Sequence, residues 1–306
     1  MRILLALGAV CLAALSAPAQ QPQAKTANSL VRFQISLKQK LFLAGESIEL
    51  EVAMLNNSGG PLTFRPEDGW LEFTVWSMLK PTGEGNPVAR LRPVTVEETF
   101  TVKHTDAART TVNLTPGFDM RRPGLYRVTA SMVYRGATAP VTAEPVTFNV
   151  VPGFKLTEHV FGLPPRADSD APPEARKYLL QQLTLTEPRE MRLYLAVTDV
   201  SEATIIRQLK LGRMAGSNKP PTQLDRLSNL HVLHQTENGR HFVHSIVSPR
   251  GDLLVRETHE SIGSQPTLLL DDEGVVTVKG GARRARPDDI SPAKLQLTPA
   301  ETRAKQ

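Results

Sequence analysis

The chain reads as an all-β protein, an antiparallel sandwich followed by an antiparallel β-meander, and three observations lead there. Val31, Phe33, Ile35 and Leu37 alternate with Arg32, Gln34, Ser36 and Lys38, the period-two pattern of a strand with one buried face. Turn signals built from Pro, Gly and Asn recur at short intervals, as in Asn56-Asn57-Ser58-Gly59-Gly60 and Ser248-Pro249-Arg250-Gly251. A helical period surfaces in one short stretch only. With 306 residues the chain has room for about two domains, each large enough to bury its own core.

Residues 20 to 29, rich in Gln, Pro, Ala and Lys, predict a flexible leader, and order begins near Leu30. After the first strand and a turn at Ala44-Gly45, alternation resumes in Ile48, Leu50, Val52 and Met54, with Glu49 and Glu51 facing out. Further strands are expected over residues 71 to 78, 99 to 103, 110 to 114, 126 to 134 and 146 to 151. That many short strands between turn signals make a sandwich over residues 30 to 151.

Gly45-Glu-Ser-Ile-Glu-Leu-Glu-Val-Ala-Met-Leu-Asn-Asn57 and Arg122-Pro-Gly-Leu-Tyr126-Arg-Val128, closing with Pro145-Val-Thr-Phe-Asn-Val150, resemble bacterial immunoglobulin-like modules of the intracellular-proteinase-inhibitor type. The resemblance implies an immunoglobulin-like β-sandwich for the N-terminal part. It implies no single activity, since such sandwiches host many functions.

Val151-Pro152-Gly153 and the Pro- and Asp-rich stretch up to Pro173 predict a linker over residues 152 to 173. Residues 174 to 183 predict a short amphipathic helix with Tyr178, Leu179 and Leu183 inward, opening a β-meander domain that runs to residue 282. Met191, Leu193, Leu195 and Val197 alternate with Arg192, Tyr194 and Thr198, and residues 205 to 211 predict a further strand. Hairpin turns follow at Asn238-Gly239, at Ser248-Pro249-Arg250-Gly251 and at Asp272-Glu273-Gly274. The run from Leu224 to Gln235, followed by Pro249-x-Gly251, is similar to uncharacterised secreted bacterial proteins of two-module layout.

Met1-Arg2, the apolar run from Ile3 to Leu15 and the small residues Ala17-Pro18-Ala19 predict a secretory signal cut before Gln20. A run of roughly thirteen apolar residues is short of the ~20 that span a membrane. Hence the expectation is a periplasmic or extracellular protein with no membrane span after cleavage. The single cysteine, Cys11, lies inside that signal, so the mature chain forms no internal disulfide. In a bacterial setting the sequons at Asn56 and Asn113 are idle. Without Arg2, 35 basic side chains face 31 acidic ones, and residues 279 to 306 hold 7 basic against 3 acidic. Residues 283 to 306 therefore predict a disordered basic tail, and neither domain has the basic face of a nucleic-acid partner.

Five of the seven histidines fall between His231 and His259. A two-residue turn at Asn238-Gly239 sets His234 opposite Val243, which makes His234 and His241 diagonal neighbours. A turn at Pro249-Arg250-Gly251 sets His241 opposite His259 and Val243 opposite Glu257. In those registers His234, His241, His259 and Glu257 share a face, a set that suits zinc, while His231 and His244 fall on the other face beside Leu233 and Phe242.

No stretch matches a catalytic or organic-cofactor motif at diagnostic spacing, so no catalytic residue is assigned. The expectation is an exported, non-catalytic binding or accessory module with a protein or glycan partner. Two alternatives stay open: a metal-binding protein or metal-dependent hydrolase centred on the histidines, and a proteinase inhibitor by fold analogy. Trp70 and Trp76, six apart, would share a face on one regular strand, where core packing competes with a sugar platform. Arg250-Gly251-Asp252 and Asp271-Asp272-Glu273 read as turn chemistry.

Overall fold

A computed structural model describes residues 30–163, 174–216, 218–236 and 239–290. The expected signal and leader, part of the expected linker, Asn238 and residues 291–306 lie outside the described residues. Among the described residues every long element is a strand, and the one helical piece is a single 3-10 turn at Pro66–Asp68.

The first eleven strands are β1 (Val31–Leu37), β2 (Leu41–Leu43), β3 (Glu49–Asn56), β4 (Leu62–Phe64), β5 (Leu71–Met78), β6 (Gly85–Pro87), β7 (Phe100–Val102), β8 (Ala107–Asn113), β9 (Gly124–Met132), β10 (Val141–Thr142) and β11 (Val146–Val151). One sheet runs β1-β3-β8; the other runs β2-β11-β9-β5-β6, with β10 on β9 and β4-β7 as a separate pair. Alternation in sequence becomes burial in space. Phe33, Ile35, Val52 and Met54 of the first sheet enter one core with Phe73, Val75, Val128 and Phe148 of the second. Trp70 is buried in that core, its ring 4.7 Å from Phe64 and 5.6 Å from Phe100, while Trp76 sits half-buried on β5. Trp70 precedes the strand, so the two indoles do not form a shared platform. Asn56 is fully buried: its amide donates to the carbonyls of Gly60 and Val102, and its Oδ1 accepts from Ser58.

The remaining strands are β12 (Phe154–Gly162), β13 (Ala175–Thr186), β14 (Arg189–Asp199), β15 (Ile205–Met214), β16 (Thr222–Leu224), β17 (Leu230–Gln235), β18 (His241–Val247), β19 (Leu253–Glu260), β20 (Thr267–Leu270), β21 (Val276–Lys279) and β22 (Ala282–Arg283). They form a sheet β12-β13-β14-β15, a sheet β16-β17-β18-β19-β22 and the hairpin β20-β21. Between the two sheets Tyr178, Leu180, Leu193, Leu195 and Val197 meet Leu230, Val232 and Val247.

The structure corrects three sequence expectations. Residues 175–186 form a strand rather than a helix, paired with β14 from Arg176↔Asp199 to Thr186↔Arg189. The cause is burial on both faces: Tyr178 and Leu180 enter the inter-sheet core, while Leu183 and Leu185 turn the other way toward Leu43 of the first domain. A strand whose apolar side switches from one face to the other midway shows no single period-two pattern, and Tyr178, Leu179 and Leu183 then mimic a helical spacing. The expected linker contains β12, which starts at Phe154 and pairs with β13. The expected basic tail begins as structure, because Asp289 accepts from Arg283 Nη1 at 2.7 Å and from Thr258 Oγ1 at 3.0 Å, tying residues 283–290 to β19.

The strands up to β11 and those from β12 onward meet at a buried polar clasp. Glu46 Oε2 accepts the Leu43 amide at 2.9 Å, and Oε1 accepts the Tyr194 hydroxyl at 2.9 Å and Gln39 Nε2 at 3.1 Å. Arg192, held by Glu190, also reaches Gln39. Burial raises the Glu46 carboxyl above its ordinary range, and the Leu43, Tyr194 and Gln39 donors pull it back. Tyr194→Phe removes one donor from that carboxylate and is expected to cost about 1.5–3 kcal/mol in urea unfolding. A loss below about 0.5 kcal/mol would show that the clasp contributes little.

Candidate metal centre

The histidines are placed by two hairpins. Across β17 and β18 the register sets His234 opposite Val243 and Leu233 opposite His244, as the turn spacing predicts. The second hairpin begins as expected: the Ser248 amide donates to Asp252 O at 2.9 Å, and Val247 stands opposite Leu253. Leu254 is then an extra residue, because Ile246 pairs with Val255. This β-bulge moves every later pair by one and so reverses the faces of β19. His241 comes opposite Glu260, Phe242 opposite His259 and His244 opposite Glu257.

The expected set is therefore divided. Glu257 and His259 lie together, but the third member of their group is His244, and His234 and His241 lie on the other face of β18 and its neighbours. His234 is buried on the side that packs against β15, with neither ring nitrogen hydrogen-bonded among the described residues. Sequence reasoning misses His244, His231, Asp225 and Arg283. One signal is available: Leu253-Leu254-Val255 breaks strand alternation at the bulge.

One ligand atom each from His244, Glu257 and His259 lie within 4.8 Å of one another. Tetrahedral zinc with bonds of about 2.0–2.2 Å needs ligand atoms roughly 3.4 Å apart, so modest side-chain rotation closes the group on an ion. His244 is 5 % and His259 9 % exposed. His244 Nδ1 and His259 Nε2 have no hydrogen-bond partner among the described residues. Two buried imidazole nitrogens without partners, in a group that holds a carboxylate, are costly unless something binds them. His259 Nε2 stands 3.8 Å from Glu257 Oε2.

Outer groups fix these side chains. His231 Nδ1 and His244 Nε2 are 3.0 Å apart, and His231 Nε2 lies 3.5 Å from Asp225 Oδ2. Asp225 is itself held, accepting the amides of Leu227 and Asn229 at 2.8 Å each and Asn229 Nδ2 at 2.9 Å. Arg283 approaches Glu257 Oε1 at 3.5 Å, but its charge is matched by Asp289, and Glu257 keeps Oε2 for the group. Burial drives the His244 imidazole down to about 3, helped by neighbouring His231 and His259. Burial also lowers His231 and His259, opposed by Asp225 and by Glu257 respectively. All three rings are therefore neutral near pH 7, the form that ligates a metal.

A cleft of about 670 Å³ opens at the domain junction, lined by residues that include Glu46, Arg92, Arg121 and Arg207. None of the three ligand candidates lines it. No protein-family model and no curated protein matches the chain. Among solved structures, a family 123 glycoside hydrolase from Clostridium perfringens is 12% identical over 40% of this chain, with a TM-score of 0.25. The chain spans 27% of that enzyme. The sporulation control protein Spo0M from Bacillus subtilis is 11% identical over 55% of this chain and 79% of its own, with a TM-score of 0.29.

Proposed function

We propose that this chain is a non-catalytic binding module that holds a divalent transition-metal ion of the zinc class through His244, Glu257 and His259. The observation that carries the reading is the pair of buried, unbonded nitrogens, His244 Nδ1 and His259 Nε2, beside a carboxylate. Two imidazoles and one carboxylate suit zinc, cobalt or nickel and leave one coordination position for water or a partner's side chain. In the exported setting that the N-terminal residues predict, such a module would act as an accessory or carrier domain. An immunoglobulin-like N-terminal domain fits the sandwich core and Tyr126, whose hydroxyl donates to the Arg122 carbonyl four residues upstream at 2.7 Å.

Zinc titration by calorimetry at pH 7.5 tests the site. The wild type is expected to bind at sub-millimolar zinc, His244→Ala and His259→Ala to lose at least about tenfold in affinity, and His241→Ala to match the wild type. Absence of binding by the wild type, or equal loss in His241→Ala, would overturn the assignment.

A further inference from the structure

We infer that Asp225 and His231 form a two-member hydrogen-bond relay that keeps the proton of His244 on Nε2, so that its unpartnered Nδ1 is left as the lone pair it offers to the group with Glu257 and His259. This rests on the metal reading above and says what prepares that site for an ion.

Proton placement is the deciding quantity. Only one of the two nitrogens in the 3.0 Å contact between His231 Nδ1 and His244 Nε2 carries a hydrogen when both rings are neutral. If His244 donates, His231 holds its own proton on Nε2, which points at Asp225 Oδ2 3.5 Å away. Every N–H then meets an acceptor, and His244 Nδ1 is left as a lone pair. If His231 donates instead, its Nε2 lone pair faces the Asp225 carboxylate, lone pair against anion. His244 must then carry its proton on Nδ1, directed at the group it would ligate from. The Asp225 charge decides between these two arrangements, and it is not free to turn away. Its Oδ1 accepts two backbone amides and its Oδ2 the Asn229 side chain. Metal-ligating histidines commonly pass their second N–H to a carboxylate. In this site a second imidazole is interposed, so the carboxylate acts across two rings. Asp225 and His231 are positioning residues, since neither reaches the ion.

Asp225→Asn is the decisive change because it is nearly isosteric. The new Oδ1 can keep the amides of Leu227 and Asn229, which leaves the new NH2 facing His231 Nε2 and the Asn229 side chain, whose amide turns its oxygen to accept from it. A donor there forces the His231 proton to Nδ1, which donates to His244 and moves the His244 proton to Nδ1. One atom exchanged two rings away thus places a proton on the metal-facing nitrogen.

The test uses the full chain without metal and then with Co(II) alone. Long-range 15N–1H correlation spectra should show His244 as the Nε2–H tautomer in the wild type and the Nδ1–H tautomer in Asp225→Asn. Co(II) affinity should fall about 10- to 100-fold in that variant. Asn229→Ala, which removes one donor from Asp225 Oδ2 but leaves that carboxylate oxygen facing His231, should keep the wild-type tautomer and stay within about threefold in affinity. A wild-type His244 protonated on Nδ1 overturns the relay, and it does so even if the Asp225 variant fails to fold. Unchanged tautomer and unchanged affinity in Asp225→Asn overturn the relay while leaving the metal site standing. Failure of the wild type to bind Co(II), whatever its tautomer, overturns the metal reading and with it the relay's role in preparing a ligand.

Discussion

Replacing Tyr178 with alanine is expected to remove about 3–5 kcal/mol from the stability of the C-terminal domain, read as a shift of its urea midpoint by circular dichroism. The side chain is wholly buried, and its ring stacks on Phe161 at 4.3 Å. Its hydroxyl lies 3.0 Å from Ser228 O and 3.1 Å from Val247 O, donating its one hydrogen between them. A residue of β13 thereby grips a loop and a strand of the facing sheet, so its loss opens a cavity and frees two carbonyls together. Tyr178→Phe keeps the ring and gives up only the hydrogen bond, and should cost about 1 kcal/mol. If both substitutions cost the same, the ring adds nothing to the packing between the sheets.

Acid is expected to unfold this domain early, and His234 supplies a measurable part of the effect. Burial, with the Arg256 charge as the second cause, pushes its imidazole down from 6.5 to about 3. The sign follows from which state takes the proton. Below pH 6.5 the unfolded chain protonates His234 while the folded chain does not, so the full contribution is present above 6.5 and is lost toward pH 3. The slope is about 1.4 kcal/mol per pH unit for one such group. His244, also driven down to about 3, steepens the wild-type curve by the same mechanism. His234→Leu removes one of these slopes without leaving a polar atom behind, because neither His234 nitrogen is hydrogen-bonded among the described residues. Between pH 6.5 and 4.5 the variant should lose about 2 kcal/mol less than the wild type in urea unfolding. Parallel curves would mean that His234 is protonated within the fold.

Much of the architecture is written in the chain wherever one face of a strand is wet. Val31 to Leu37 and Leu71 to Met78 alternate in sequence and alternate in burial. Residues 175–186 mislead because the buried side changes along the strand, from Tyr178 and Leu180 to Leu183 and Leu185, so no single period-two pattern runs through it. The histidine site is half legible. Turn chemistry places the first hairpin correctly and draws Glu257 and His259 together, and Leu254 alone sends His244 rather than His241 to meet them. A bulge is a property of pairing, set by how two strands twist against each other, and one strand's residues give only a faint sign of it. Asp225 and Arg283 come from a loop and from a late two-residue strand, so no local pattern could bring them to the site.

The covered outer face of β13 and β14 bears on how the two halves can be handled. Leu183, Leu185 and Tyr194 form a small core of their own with Leu43, and Gly153 passes so close to Gln181 that a Cβ there would stand 2.9 Å from its side chain. Cutting the chain at that glycine would leave the second half with a naked greasy strip and a tyrosine hydroxyl bereft of its carboxylate, and the first half with Glu46 stranded. Neither fragment is then a fair stand-in for its share of the whole, and autonomy belongs to the pair.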